Sequence, residues 1–336
     1  MTLLKDCPIP NTFGMKVKAA CVVEYDSAAE LAALDWDSLP APVRSIGEGS
    51  NLLFRSDFPG TLLRSRITTL KYVDMGLEEI PVIVGSGVKW DDFVKNTTDN
   101  GLWGAENLSL IPGTVGAAAV QNIGAYGVEV KDLIKGVTAY DLRERRMVKF
   151  QNAECRYAYR DSVFKNEPGR YVITSVLLRV SRTAGPNLGY KGLSEAVSPD
   201  ANPAQVREAV IGIRRAKLPD PAETGSAGSF FKNPVIGREQ YSALLSKIRA
   251  AGIEGEPPHF DLGRDAVKVP AAWLIEKAGL KGATEGGAAV YQKQPLVIVN
   301  ASGEASPADV EALEQHIVET IFSKFGVRLS PEVEHI

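Results

Sequence analysis

Cysteine, histidine and surplus charge of either sign are scarce in this chain, and each scarcity removes a class of function. The three cysteines, Cys7, Cys21 and Cys155, are scattered without CxxC spacing. That excludes a disulfide framework and a cysteine zinc site, and it fits a reducing compartment. Lys plus Arg number 38 against 41 Asp plus Glu, a formal charge of -3. No bulk field is available to hold a polyanion, so nucleic acid is not an expected partner. The longest apolar runs, such as Leu296 to Val299, fall far short of the roughly 18 residues of a membrane span. The opening MTLLKDCPIPN lacks the apolar segment of a signal peptide. No membrane partner is expected, and the cytoplasm is the expected compartment.

What the chain does have is enough length for more than one core. Its 336 residues, 44% hydrophobic and 24% charged, correspond to about two domains at roughly 150 residues each. With 31 Gly and 20 Pro the composition is that of a folded, loop-rich protein. Residues 16 to 67 read as strands around one short helix that opens on the capping signal Ser27 and Glu30 before Leu31 and Leu34. From residue 68 the strand PVIV runs through GSG into the helix WDDFVKNTTDNG. Strands are expected at GVTAYDL, MVKF and RYVITSVLLRV, and a helix at VREAVIGIRRAK. After residue 219 a Ser- and Gly-rich loop leads to helices at YSALLSKIRAAG and AAWLIEKAG and a strand at LVIVN. The clearest element is the last helix. Ser306 caps it, Pro307 occupies its first position, and Val310, Leu313, Ile317, Ile321 and Phe325 line one face before Gly326 ends it.

Chemistry is expected at the glycine turns. Two GxG turns must be weighed as dinucleotide fingerprints, and both fail. Leu52 stands where a third glycine should follow Gly47 and Gly49, and Trp90 where one should follow Gly85 and Gly87. Alone, either is a tight loop. Together with Ser50 and Asn51, with Gly113, Thr114 and Gly116, and with Asn122, Gly124 and Gly127, they suggest main-chain N–H groups approaching a diphosphate, helped by neutral side-chain donors. The implied ligand is a dinucleotide held outside the Rossmann plan. No GxxxxGK[ST] loop is present, so ATP-driven chemistry is not supported.

The motifs IPGTVGAAAVQNIGAYG, CRYAYRDSVFK, RRAKLPDP, GSFFKNP and SPEVE, in this order, resemble those of the UDP-N-acetylenolpyruvoylglucosamine reductases, flavoproteins that make UDP-N-acetylmuramate for peptidoglycan. The resemblance covers nearly the whole chain. It implies an α+β chain with a two-subdomain FAD-binding fold of the p-cresol methylhydroxylase and vanillyl-alcohol oxidase type, plus a C-terminal α+β substrate-binding domain. The expected divisions are residues 1–67 and 68–219 for the two FAD subdomains, and 220–336 for the substrate domain, whose tail 329–336 returns to the active site.

Each site residue follows from that resemblance. Arg160 matches the catalytic arginine, Ser229 the proton donor and Glu332 the third catalytic residue. A cation that keeps its proton suits the charge that hydride addition builds beside a carboxylate. Ionised Glu332 would oppose that charge, so it is expected to be desolvated and at least partly protonated in the closed site. FAD contacts are implied at Gly47, Gly49, Ser50, Asn51, Leu52, Gly85, Gly87, Ile111, Pro112, Gly113, Thr114, Gly116 and Ala117. They continue at Gln121, Asn122, Gly124, Ala125, Tyr126, Gly127, Arg160 and Arg215. Substrate contacts are implied at Tyr159, Tyr190, Lys217, Asn233, Lys281 and Gln294, with Tyr190 in a loop resembling the mobile tyrosine loop of the longer family type.

FAD is expected to bind non-covalently, because His259, His316, His335 and the cysteines lie outside the glycine turns. NADPH is implied as co-substrate, no metal is expected, and the chain is expected to be a monomer. Departures from the family pattern are Ala119 for a usual Pro, Ala272 for a usual Gly, and Glu334-His335 after PEV, where a basic and then an aromatic residue is common. Two alternatives stay open on the sequence alone: an oxidase or dehydrogenase of another substrate on the same fold, and a nucleotide-binding module without turnover.

Overall fold

Alternation builds the first layer. In Lys18–Tyr25 the residues Ala19, Cys21, Val23 and Tyr25 turn inward while Lys18, Ala20 and Glu24 do not, the period-two pattern of a half-covered strand. The computed structural model describes residues 1–336 and divides into two compact units. One comprises Met1–Ile9, Lys18–Gly49 and Asp57–Ala216, the other Pro10–Val17, Ser50–Ser56 and Lys217–Ile336.

The first unit holds two sheets. In one, Thr2–Pro8 pairs antiparallel with Lys18–Tyr25, which runs parallel to Phe58–Ser65, itself parallel to Val43–Ile46. The other is antiparallel throughout, ordered Arg146–Gln151, Ile134–Asp141, Tyr171–Ser181, Glu79–Gly85, Leu70–Tyr72. The expected division at residue 67 lies between these sheets, and both belong to one unit. Trp90–Asp99 is helical as its spacing predicts, burying Trp90, Phe93, Val94 and Thr97, and Gly101 follows it at φ +69°. These side chains share a core with Val82, Val84, Val115, Ala118, Val176 and Leu178.

A helix the sequence did not announce runs from Val115 to Gln121. The Thr114 hydroxyl accepts the Ala117 N–H at 3.3 Å to start it, and Asn122 ends it at φ +45°. Its run of Gly and Ala carries no apolar periodicity, so only the cap residues signalled it. At Ser27 the cap is half as expected. Ser27 accepts from the Glu30 N–H, but the Glu30 carboxylate receives the N–H of Asp26, not that of Ser27.

In the second unit, Gly225–Ser229 pairs with Val297–Asn300, which continues through Ala288–Val290 to Thr284–Glu285. A smaller sheet orders Val235–Gly237, Ala266–Lys268 and Phe260–Leu262. The helix Pro307–Phe325 has the expected start and stop: a reciprocal Ser306–Asp309 capping box and Gly326 at φ +72°. Val310, Leu313, Ile317, Ile321 and Phe325 are all buried. The short segments that complete this unit come from far upstream. Thr12 accepts the N–H of Ser226 at 2.8 Å, and Leu52–Leu53 pairs parallel with Glu334–His335. No helix is long and apolar enough to cross a membrane.

Candidate functional site

In the first unit the expected cofactor residues converge on the N-terminus of the helix Val115–Gln121. The bend Gly47–Gly49 follows the strand Val43–Ile46. A Cβ at Gly47 would stand 3.1 Å from both the Thr114 hydroxyl and Ala117 Cβ, so the bend lies directly on that helix. The Glu48 carboxylate accepts the Gly113 N–H at 2.9 Å and draws Lys89 to 3.6 Å, fastening the two loops. Gly116 is required by packing, since a Cβ there would come within 2.8 Å of Ser86 Cβ.

The glycine turns therefore divide the work. The N–H groups of Gly85, Gly87, Gly113 and Gly116 are all taken within the protein, by Thr69, Ile67, Glu48 and Ser86. No acceptor within the protein takes the N–H of Gly47, Glu48 or Gly49. Those three donors, at a bend where Gly49 has φ +66°, have the geometry of an anion-binding nest. Ser86 is not a phosphate donor here. It is buried, and its hydroxyl donates to Ser65 at 2.7 Å. Beneath it burial pushes the Tyr25 hydroxyl up to about 12, against hydrogen bonds with Ser65 and Ser86 that lower it. Close helix-to-strand contact, which a Rossmann turn obtains from its third glycine, is obtained here from Gly116.

Backbone strain is concentrated around the same loops. Leu110, Asn122, Tyr126 and Arg160 all take left-handed conformations, at φ +58°, +45°, +48° and +54°. A non-glycine residue there costs on the order of 1 kcal/mol. Asn122 is fully buried and its side chain is spent on the protein. It donates to Glu129 at 3.0 Å and to the Ala158 carbonyl at 2.7 Å, and accepts from the Lys131 N–H at 3.2 Å. Arg160 sits in the tight turn Ala158–Asp161. Its guanidinium donates to the carbonyls of Gly124 at 2.7 Å and Asn122 at 3.3 Å and lies over the Tyr159 ring. Gln121 accepts from Lys165 at 2.6 Å.

Of the basic run, Arg215 and Lys217 are exposed, while Arg214 is the residue turned inward. Burial pulls the Arg214 guanidinium below its usual value, against the opposing influence of Tyr126 and Asp91. Its Nε is buried without a hydrogen-bond partner. Burial likewise raises the Tyr126 hydroxyl. The sequence pointed to the run, but only the helix phase shows which arginine faces in. Tyr190 is exposed and packs edge-on to Tyr126 at 5.1 Å. The buried Asn107 amide donates to the carbonyls of Tyr126 at 2.9 Å and Asn187 at 2.8 Å, tying the tyrosine loop to the cradle. Nothing in the sequence singled out Asn107.

Asp91 fixes the start of the cradle. It accepts two hydrogen bonds from Arg207, at 2.6 and 2.8 Å, and the N–H of Leu110. Burial alone would raise its carboxyl. The Arg207 and Leu110 hydrogen bonds and the charges of Arg207 and Arg214 outweigh that and hold it below the usual value.

In the second unit Ser229 ends the strand Gly225–Ser229, directly after Gly228 at φ +71°. The next residue, Phe230, donates to the Leu296 carbonyl at 2.7 Å and accepts from the Glu332 N–H at 2.8 Å. Lys232 donates to the Ser330 carbonyl at 3.0 Å. Main-chain pairing therefore sets Glu332 against Phe230, the residue after Ser229, with Gln294 in the adjoining turn, where its amide oxygen accepts from Leu296 at 3.5 Å. Asn233 caps the helix Ala271–Lys277 by accepting the Ala271 N–H at 3.0 Å, and Lys281 pairs with Glu276 of that helix at 3.5 Å. Ser50, Asn51 and Leu52, expected at the cofactor, belong to this unit. Asn51 donates to the Glu332 carbonyl at 3.2 Å. No group of His, Cys, Asp and Glu is arranged to hold a metal.

Two family models match. One, a FAD binding domain, covers residues 19–149, and the other, the C-terminal domain of UDP-N-acetylenolpyruvoylglucosamine reductase, covers 220–336. The chain is 45% identical over 330 residues to the UDP-N-acetylenolpyruvoylglucosamine reductase of Bacteroides fragilis, covering 97% of each. It is 42% identical to that of Porphyromonas gingivalis, covering 100% of each. It is 43% identical to that of Chromobacterium violaceum, covering 96% of this chain and 95% of the relative. The crystal structure of the Thermus caldophilus enzyme superposes with a TM-score of 0.68 at 23% identity, over 99% of this chain and 98% of the other, and shows the same fold.

Proposed function

The chain belongs to the UDP-N-acetylenolpyruvoylglucosamine reductases, and from that premise we propose how its residues divide the reaction. The activity is reduction of UDP-N-acetylglucosamine enolpyruvate to UDP-N-acetylmuramate, with NADPH as co-substrate. Bound FAD, once reduced by NADPH, supplies the hydride to the terminal carbon of the enolpyruvyl ether.

Residues 1–67 and 68–219 hold FAD. The unpaired N–H groups of Gly47, Glu48 and Gly49 supply donors for its diphosphate, and the tight contact of Gly116 with Ser86 keeps the helix Val115–Gln121 against the bend. Three protein donors with no protein acceptor, at a bend flanked by Gly47 and Gly49 whose Glu48 carboxylate is turned to Gly113 and Lys89, are what a bound diphosphate needs, so the residues fit the group.

Hydride addition leaves negative charge on the carbon beside the substrate carboxylate and on the carboxylate itself. Arg160 stabilises that charge because its guanidinium cannot lose its proton. Its orientation is fixed by the Gly124 and Asn122 carbonyls. Ser229 delivers its hydroxyl proton to that carbon and regains one afterwards from solvent. Glu332, whose N–H binds the Phe230 carbonyl next to Ser229, is the third catalytic residue. Tyr159, Tyr190, Lys217, Asn233, Lys281 and Gln294 orient the nucleotide-sugar, the lysines as point charges for its diphosphate. The protein works as a soluble, cytoplasmic monomer.

The observation that supports the division of roles is the hydrogen bond between the Glu332 N–H and the Phe230 carbonyl at 2.8 Å, which brings Glu332 against the residue that follows Ser229 although 102 positions separate them in the sequence. The test is anaerobic. Purified yellow protein is bleached by NADPH and then mixed with UDP-N-acetylglucosamine enolpyruvate. Rapid recolouring supports the reading. Recolouring by oxygen alone would identify an oxidase of another substrate.

A further inference from the structure

The tail after Glu332 does more than pair its backbone. Glu334 donates its N–H to the Asn51 carbonyl at 3.0 Å, Ile336 to Leu53 at 2.9 Å, and Arg55 to Ile336 at 2.8 Å. This ladder sets the register of the tail strand. Beside the Arg55–Glu311 ion pair, which ties the neighbouring segment to the helix Pro307–Phe325, His335 reaches from the tail strand to the same helix. His335 Nε2 lies 2.9 Å from a Glu314 carboxylate oxygen on that helix, with the two side chains only 18% and 15% exposed. The opposite face of the ring meets Phe230, 6.2 Å between centroids. Phe230 is fully buried, packs tilted against Phe231 at 5.2 Å, and follows Ser229 directly.

The Glu314 contact lies within ion-pair distance but does not meet the geometry of an aligned N–H hydrogen bond. Its strength therefore depends on charge more than on direction. Histidine is the side chain whose charge changes between about pH 5 and 8. Other charged groups on the surrounding elements are Glu311 on the helix, already paired with Arg55, and Glu334 and Glu332 on the tail itself. Glu314 is the carboxylate the structure sets within ion-pair distance of the His335 ring.

We propose that His335 and Glu314 form a positioning pair for proton delivery. The charged contact pins the tail strand to the helix, and through Phe230 on one side and Glu332 on the other it sets where the Ser229 hydroxyl and the Glu332 carboxyl stand. Loss of the imidazolium proton loosens the pair and slows the proton-transfer half of the reaction. The inference rests on the roles given above to Ser229 and Glu332. It is particular to a chain with histidine at this position, because the aromatic residue common there in the family keeps the stacking surface and carries no charge.

The test compares wild type, His335→Phe, Glu314→Gln, the double variant and Ser229→Ala by anaerobic stopped flow. It follows NADPH bleaching and recolouring by UDP-N-acetylglucosamine enolpyruvate between about pH 5 and 8.5. Wild-type recolouring slows as pH rises across that range. At pH 6 each single variant recolours roughly tenfold more slowly, loses that pH dependence and bleaches normally, and the double variant is no slower than either. Should His335→Phe not fold, Glu314→Gln carries the same comparison. Wild-type rates and profile in the single variants, or equal slowing of bleaching and recolouring, overturn the pair. Slow Ser229→Ala beside unaltered His335→Phe overturns the pair alone. Wild-type recolouring in Ser229→Ala overturns the reading on which it rests.

Discussion

Glu332 and Phe230, 102 positions apart in the sequence, are joined by one main-chain hydrogen bond of 2.8 Å. Because Ser229 precedes Phe230, that bond and the neighbouring Phe231–Pro331 bridge bring the segment that carries the proposed proton donor against the one that carries the proposed acidic partner. Phe231, Val333 and Leu329 are buried around this main-chain contact, which leaves it little freedom.

The orientation of Arg160 is equally a main-chain matter, and it leads to a prediction. Its two donors reach the Gly124 and Asn122 carbonyls from a left-handed backbone. Lysine has neither the planar fork nor the reach to keep both. Arg160→Lys is expected to bleach with NADPH near the wild-type rate and to recolour with the enolpyruvyl substrate on the order of 100-fold more slowly. Equal slowing of both half-reactions would remove Arg160 from the charge-stabilising role.

Gly116 gives a cofactor prediction independent of turnover. A side chain there meets Ser86 at 2.8 Å, so Gly116→Val must push the helix Val115–Gln121 away from the turn at Gly85 to Gly87. The overpacking costs about 1–3 kcal/mol and displaces the bend at Gly47. Purified Gly116→Val is expected to melt lower and to carry less flavin per protein than wild type, measured from the ratio of visible to ultraviolet absorbance. Full flavin content would show that this contact does not shape the cradle.

Acid stability follows from Asp91. Its carboxyl is held below the usual value in the folded chain, so the stabilisation it provides is fully present above the unfolded-state value. It is lost as pH falls through the lower folded value. Stability should therefore decline below about pH 4. Asp91→Asn is expected to cost about 2 kcal/mol at pH 7 and to flatten the decline between about pH 5 and 3. Melting temperature across that range, with and without added FAD, checks both. An unchanged slope would mean that other carboxylates carry the acid transition.

Elements whose signal is local were legible in the sequence. The helix Pro307–Phe325 announces its cap, its apolar face and its stop within 21 residues, and the antiparallel strands between residues 134 and 181 alternate clearly. The helix Val115–Gln121 was hidden because its faces are Gly and Ala, chosen for close approach to Ser86 and the Gly47 bend instead of for amphipathicity. Contacts of long sequence separation were invisible in principle. No local pattern says that Thr12 closes the edge at Ser226, that Leu52 pairs with Glu334, or that Asn107 ties Tyr126 to Asn187. The candidate site residues rest on motif resemblance. What the motifs left unsaid is which glycines donate and which only pack, and that Arg214, not Arg215, is the inward arginine.

The central claim is that the Ser229 hydroxyl delivers the proton and takes no part in flavin reduction. Anaerobic stopped-flow on Ser229→Ala tests it most directly. The account predicts bleaching by NADPH at the wild-type rate and recolouring by UDP-N-acetylglucosamine enolpyruvate slowed on the order of 100- to 10,000-fold. Recolouring at the wild-type rate would contradict it.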